Sequence, residues 1–365
     1  MTEETVFDLA SLTKVVATTP AVLRLIDTER IALDDPVSRF VPEYAAGAKA
    51  RVTLRHLLTH TSGLPAHEPF HELGAAPAAL RTAIVDTPLA AEPATTVVYS
   101  DIGFMTLGFV IEAVTGLSLD SAVQELVFTP LGMASTSSHH ADFIKHANRA
   151  ALHVPVNGAW AAKIKRDPDA QAPAGGVSST ARDLSQWLRL VLGDGVYAGK
   201  PLIAADALGQ THVPLMTRGR NPVSGGESFY GLGWNVEFGR HGLSWGHAGA
   251  FSVGARTLVT IFPKEKLGIV ILANAFPTGV PEGLSDSFAD LVFDGSVGKD
   301  WIKAWDGIYA GMFGPVVEAA KATYAAPPST ARPAGPASGY TGRYANDFIG
   351  EAVVASAGDG LVLQV

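Results

Sequence analysis

The sequence predicts an α/β (α+β) fold, an antiparallel sheet flanked by helices, on three observations. Apolar residues recur at helical spacing in stretches such as "IGFMTLGFVIEAVTG". After about residue 240 the character changes to β-branched runs separated by short polar turns. Hydrophobic residues make up 47% of the 365 positions and charged residues 17%, which supports a large buried core and argues against disorder.

The elements follow in order. Asp8 is read as the cap of a helix carrying Ser11 and Lys14, and Pro20 as the end of its first part. "VTLRHLLTHTSGLP" is a short helix capped by Thr53 and stopped by Gly63 and Pro65. "IGFMTLGFVIEAVTG" ends at Gly116, and "VSSTARDLSQWLRLVLGDG" runs from Thr180 to Gly193. "GLSWGHAG", "SVGARTLVTIFP" and "LGIVILANA" are strands, with "PKEK" turning between the last two. Residues 1–324 are read as one domain and residues 325–339, "AAPPSTARPAGPASG", as a Pro/Ala/Gly linker. Residues 340–365 alternate like two strands of a further β-domain that is cut short.

Composition excludes several classes. A net charge of −8 with no basic face argues against nucleic acid. Cysteine is absent, so no thiolate chemistry is available. No apolar run approaches the roughly 20 residues of a membrane span. The opening "MTEETVFDLA" is acidic and reads as no signal peptide.

The chemistry begins at "FDLASLTKVVATT". Ser11 and Lys14 stand three apart, so a helix would place an amine beside a hydroxyl. A hydroxyl needs a neighbour to take its proton, and a desolvated lysine can do so if its pKa falls. The pattern also occurs at Ser296 and Lys299, so it decides nothing alone. "VVYSDIGF" adds Tyr99 and Asp101 at the start of a helix, and "WGHAGAF" adds His247 and Gly249 on a strand. Tyrosine can shuttle protons beside cations, and a strand N–H facing that of Ser11 would form an oxyanion hole.

The order Ser-x-x-Lys, Tyr-Ser-Asp, His-x-Gly resembles the serine β-lactamase and penicillin-binding-protein superfamily, nearest its class C-like branch with D-aminopeptidases and family VIII esterases. "LLTHTSGLP", "TPLGMASTS", "PAGGVSSTARDL", "YGLGW" and "IVILANA" share the resemblance, as do separations of 88 residues from Ser11 to Tyr99 and 148 from Tyr99 to His247. It extends over about residues 4–310 and implies a β-lactamase/transpeptidase-like fold with an all-helical subdomain and a cleft between the two parts. Ser11 would then be the acylated nucleophile, Lys14 its activator and Tyr99 the proton relay. The oxyanion hole would comprise the N–H groups of Ser11 and Ala250, with Asp101, His247 and Gly249 binding substrate. The resemblance also implies a bacterial periplasmic or secreted setting, and an N-terminal helix and two strands for which the ten residues before Ser11 leave no room.

Two residues depart from that pattern. Asp101 stands where the family has an amide; a carboxylate only accepts hydrogen bonds and would hold Lys14 protonated. His247 replaces a lysine, and a neutral imidazole attracts a carboxylate poorly. Both changes favour esters or D-amino-acid amides and peptides over β-lactams. Other motifs read as structural. "HEPFH" at 67–71 is interrupted by Pro69, so neither zinc nor any other cofactor is expected. His139, His140, His146 and His153 read as a surface loop, Tyr344 as a strand residue, Ser252 as a point where strand continues into strand rather than a strand-to-helix elbow, and His60 with Ser62 as a helix C-terminal turn. The function expected is a serine hydrolase acting on a small ester, amide or peptide; the rival is a non-hydrolytic binding or scaffold member of the fold.

Overall fold

The computed structural model describes residues 1–67, 77–156, 158–276, 278–324, 335–346, 350–358 and 360–364. Its centre is a six-stranded antiparallel sheet. From one edge the strands are Leu267–Ala273, Ala255–Phe262, Gly242–Phe251, Asn235–Gly239, Glu227–Tyr230 and Met216–Arg220. The three predicted strands are its longest, and Pro263–Lys266 makes the predicted turn.

Alternation along Ala255–Phe262 shows how the sheet is covered. On one face Thr257 donates to the Leu9 carbonyl, and Val259 and Ile261 join the main core. On the other, Thr260 meets Ser285 and Phe262 meets Phe293, both from the Val280–Asp294 helix. The Ala181–Leu192 helix approaches the edge strand at Gly268, where a Cβ would lie 2.8 Å from Leu188. Trp187 from that helix stacks on Trp234 at 5.7 Å.

The helical part forms from local signals. Thr53 caps Leu54–Leu58 in a reciprocal capping box with His56. Ser100 caps Asp101–Thr115, which ends at Gly116 with φ +73°. Thr180 caps Ala181–Leu192, which stops at Gly193. The Leu54 helix stops at Thr59, earlier than the predicted Gly63.

Several expectations are corrected. Asp8 is not a helix cap: it lies in a two-residue strand paired with Ser178–Ser179. Its carboxylate accepts from the Ala10 N–H at 2.8 Å and pairs with Arg166 at 2.6 Å. The segment carrying Ser11 and Lys14 is not one helix: Ala10–Leu12 is a 3₁₀ turn, Lys14–Thr18 a π-turn, and Thr19–Asp27 an α-helix with Pro20 in its first turn. Gly342–Asn346, Gly350–Ala357 and Gly360–Gln364 form three antiparallel strands rather than the two expected. A helix at Trp301–Tyr324 lies in a region with no earlier assignment, and residues 325–334 of the linker lie outside the described residues. Among the described residues no single helix is long and apolar enough to cross a membrane.

Candidate active site

A sharp entry angle sets up the site. Ala10, immediately before Ser11, is buried at φ +48°. A left-handed alanine costs roughly 1–2 kcal/mol. The strain is held from both sides, by Asp8 on the Ala10 N–H and by Thr257 on the Leu9 carbonyl at 2.7 Å. Among the described non-glycine residues at positive φ, only Ala10 and His60 are buried, and both belong to this region. Such strain collects where position matters more than local stability.

Ser11 sits in the 3₁₀ turn Ala10–Leu12 and Lys14 opens the π-turn that follows; across that junction Lys14 Nζ lies 3.3 Å from Ser11 Oγ. Lys14 is completely buried. Its other two ammonium hydrogens go to Asp101 Oδ1 at 2.7 Å and the Ala174 carbonyl at 2.8 Å. Ala174 is brought close because Gly108 lets the Asp101–Thr115 helix press on Pro173, 2.3 Å from where a Cβ would stand. The π-turn that begins at Lys14 is anchored by the Trp187 indole donating to the Val15 carbonyl at 3.1 Å.

Charge follows from this geometry. Burial would lower the Lys14 pKa, but Tyr99 and Asp101 outweigh it and hold the amine above its usual value. Lys14 is an ammonium at neutral pH with all three hydrogens engaged, and has no lone pair for Ser11. Tyr99 lies beside it, Nζ being 4.8 Å from the ring centroid, and is 36% exposed. Asp101 is 29% exposed, and no described residue holds its second oxygen.

The opposite wall is the Gly242–Phe251 strand. A Cβ on Gly249 would lie 2.2 Å from the Leu9 carbonyl and 3.0 Å from the Ser11 nitrogen, so only glycine permits this contact. Arg256 holds the Gly249 carbonyl at 3.2 Å. A trans peptide directs the Ala250 N–H away from that carbonyl.

His60 and Tyr230 are site residues that sequence reasoning did not assign. His60 follows the Leu54–Leu58 helix, as expected, but its ring is no mere turn residue. Its Nδ1 accepts from the Ser100 N–H at 3.0 Å, its Nε2 lies 3.1 Å from the Tyr230 hydroxyl, and its ring packs on Tyr99 at 4.4 Å. Tyr230 also reaches the Gly233 carbonyl at 3.0 Å and His247 Nε2 at 3.2 Å. Burial, then the charge of Lys14, lowers both histidines, His247 to about 3. Burial raises the Tyr230 phenol well above its usual value. A neutral hydrogen-bonded chain thus joins the strand of His247 to the backbone that carries Tyr99. The quoted stretches "LLTHTSGLP" and "YGLGW" were the signal, since each holds one of the pair.

The motifs read as structural are elsewhere. Ser252 lies in the turn after Phe251, Tyr344 bonds the Tyr340 carbonyl, and Lys299 packs over Trp301 at 4.1 Å. His139 pairs with Asp169 at 2.7 Å. Residues 68–71 of "HEPFH" lie outside the described residues.

Comparison with known proteins gives the family and the fold. The Beta-lactamase family model matches residues 1–292. A putative D-alanyl-D-alanine carboxypeptidase of Salmonella agona (strain SL483) is 28% identical over 317 residues, 75% of this chain and 70% of that protein. Among solved structures, the octameric penicillin-binding protein homologue from Pyrococcus abyssi superposes with a TM-score of 0.68 at 20% identity, covering 99% of this chain and 76% of that one. A D-stereospecific amidohydrolase from Streptomyces sp. gives a TM-score of 0.63 at 24% identity, covering 80% and 88%.

Proposed function

Because the chain belongs to the beta-lactamase family and is a serine hydrolase of that fold, we propose that it works through an acyl-enzyme on Ser11. Its substrates are carboxylic esters or D-amino-acid amides and peptides, with β-lactams poor ones. The observation that carries this reading is the Ser11–Lys14–Asp101 contact set beside a half-open Tyr99. Lys14 orients the hydroxyl and supplies positive charge. With its hydrogens committed, the path left for the Ser11 proton runs through the Tyr99 hydroxyl. The Ser11 oxygen attacks the carbonyl carbon, its proton passes to the Tyr99 oxygen as the Tyr99 hydroxyl hydrogen passes to the leaving atom, and the oxyanion meets the N–H groups of Ser11 and Ala250. Collapse breaks the bond to the leaving group, which departs carrying that proton. Water then repeats the sequence and frees Ser11.

Asp101 tunes substrate choice. With one oxygen on Lys14, the other is left to greet a donor such as a substrate ammonium. Neutral His247 offers no charge to the carboxylate of a β-lactam.

Labelling with a fluorophosphonate, followed by intact mass and peptide mapping, tests the proposal. A single adduct on Ser11 is expected. A label on Ser62, Ser252 or Ser296, or none on any serine, would overturn it and favour a non-hydrolytic role.

A further inference from the structure

The face of the sheet turned away from Ser11 buries an ion pair that the acylation steps leave unused. Successive residues of Ala255–Phe262 point to opposite faces, so Arg256 points away from the side of Thr257 and toward the helices Val280–Asp294 and Trp301–Tyr324. There it pairs with Glu282 of the first helix and donates to the Tyr309 hydroxyl of the second. Tyr309 donates in turn to Glu282 at 2.9 Å. Both charges are buried. A buried ion pair stabilises a fold no better than a well-packed apolar pair of similar volume. Here its cost is not even fully met, since Arg256 Nε and one Glu282 oxygen have no partner among the described residues.

The bond that Arg256 makes back into the sheet gives the pair a task. Its partner across the ladder is Ala250, and its Nη1 donates to the Gly249 carbonyl at 3.2 Å. That carbonyl and the Ala250 N–H are two ends of one peptide group, pointing in opposite directions. A cation on the oxygen draws density from the nitrogen, so the N–H at the other end becomes more positive and a stronger donor. Burial leaves little water to screen the effect.

We propose that Arg256 is a positioning residue of the reaction, which polarises the Gly249–Ala250 peptide from behind the sheet and strengthens the Ala250 N–H as a donor to the oxyanion. Glu282 and Tyr309 hold the guanidinium at that carbonyl, which gives the two helices behind the sheet a share in transition-state binding. The proposal rests on the Ser11 reading above and deepens it.

The test compares 4-nitrophenyl acetate with its thionoester, in which sulfur replaces the carbonyl oxygen. Sulfur is a weak acceptor, so the thionoester draws little on the N–H donors. Arg256→Met combined with Glu282→Gln removes the cation without leaving a buried carboxylate alone. In that variant kcat/KM for the oxygen ester should fall about threefold to tenfold, while the thionoester changes by less than about twofold. Tyr309→Phe keeps both charges and should show part of the same selective fall, which decides the matter if the double variant does not fold. An equal fall on both esters, or none, would overturn the proposal.

A second readout needs no turnover. Labelling with 15N-alanine and carbonyl-13C glycine isolates the amides of alanines that follow glycine, Ala250 and Ala159 among them. The Ala250 nitrogen resonance should move upfield in the double variant while that of Ala159 stays; an unmoved Ala250 resonance refutes the polarisation whatever Ser11 does. Ser11→Ala scores the underlying reading separately, since it must silence both esters. Activity that survives it refutes that reading alone and leaves the Ala250 resonance to decide Arg256.

Discussion

Two ionic clusters in this molecule look alike and behave differently. In one, fully buried Lys14 meets Asp101, whose side chain is 29% exposed. In the other, fully buried Asp290 meets Arg240, 49% exposed. The second also has His241 and Asp294 close by, a grouping with the composition of a metal site. Yet Asp290 is saturated: Gly298 N–H and the Trp301 indole each donate to Oδ2 at 2.7 Å, while Arg240 takes Oδ1 and reaches Asp294. Burial would raise the Asp290 pKa, and these donors outweigh it. The Asp290 cluster staples the Val280–Asp294 helix to the start of the next. The Lys14 cluster ends instead on a hydroxyl and an unheld carboxylate oxygen beside open space. Burial of charge does not mark the site; bonding capacity left over next to the cleft does.

The largest expected effect tests that contrast from both ends. Ser11→Ala should lower turnover of a short acyl ester about 10³-fold or more with its thermal midpoint nearly unchanged. Asp290→Ala should do the reverse. It orphans the buried Trp301 indole, the Gly298 N–H and a guanidinium, so urea unfolding should show a loss of roughly 3–5 kcal/mol, with kcat/KM retained below the transition. Loss of activity without loss of stability in Asp290→Ala would erase the distinction.

Asp101→Asn should have an intermediate effect. It restores a donor and should shift the ratio of amide to ester hydrolysis about tenfold to a hundredfold. Lys14 would lose the carboxylate that helps raise its pKa, so the alkaline limb of kcat/KM should move to lower pH. An unchanged ratio and an unmoved limb would mean that Asp101 does not face substrate.

At neutral pH the smallest effect concerns His212, which is buried and stacked on Trp245 at 3.7 Å, with neither ring nitrogen bonded among the described residues. Burial lowers its pKa to about 3. The unfolded chain protonates this histidine from about pH 6.5 downward and the folded chain does not. Stability is therefore lost as pH falls from 6.5 toward 3, by up to about 1.4 kcal/mol per pH unit. His212→Phe should flatten that part of the stability–pH curve while leaving the pH–rate profile of the Lys14 cluster alone. An unchanged slope would place the acid sensitivity elsewhere.

What the sequence revealed follows the range of the forces involved. Thr53, Thr180 and Gly116 could be identified because a cap or a left-handed stop is decided within a few residues. The long strands could be identified because β-branched runs meet short turns. The π-turn at Lys14, the strained Ala10 and the register slip between Thr217 and Gly219 in the edge strand Met216–Arg220 could not. Each is imposed by distant partners: Trp187 on Val15, Thr257 on Leu9, and the slip of one strand against another. Asp8 was misread for the same reason, since Arg166 and the strand at Ser178 compete for it. The raised Lys14 pKa was legible, because Asp101 beside it needs only the chemistry of the two residues.

The π-turn has a consequence for how such a site can change over generations. Relative to an α-helix, a turn closed from i to i+5 carries one residue too many, so Lys14–Thr18 is in effect a retained insertion. Loss of Val15, Val16 or Ala17 would let regular α-helix run back from Asp27 to Lys14. The buried face of Thr19–Asp27 would survive, and because the wider turn already absorbs the extra residue, the segment before the deletion would keep nearly its present facing. What would go is the widened loop whose Val15 carbonyl accepts from the Trp187 indole. A π-turn at this place lets a chain gain or lose one residue beside Ser11 and Lys14 without turning either of them away.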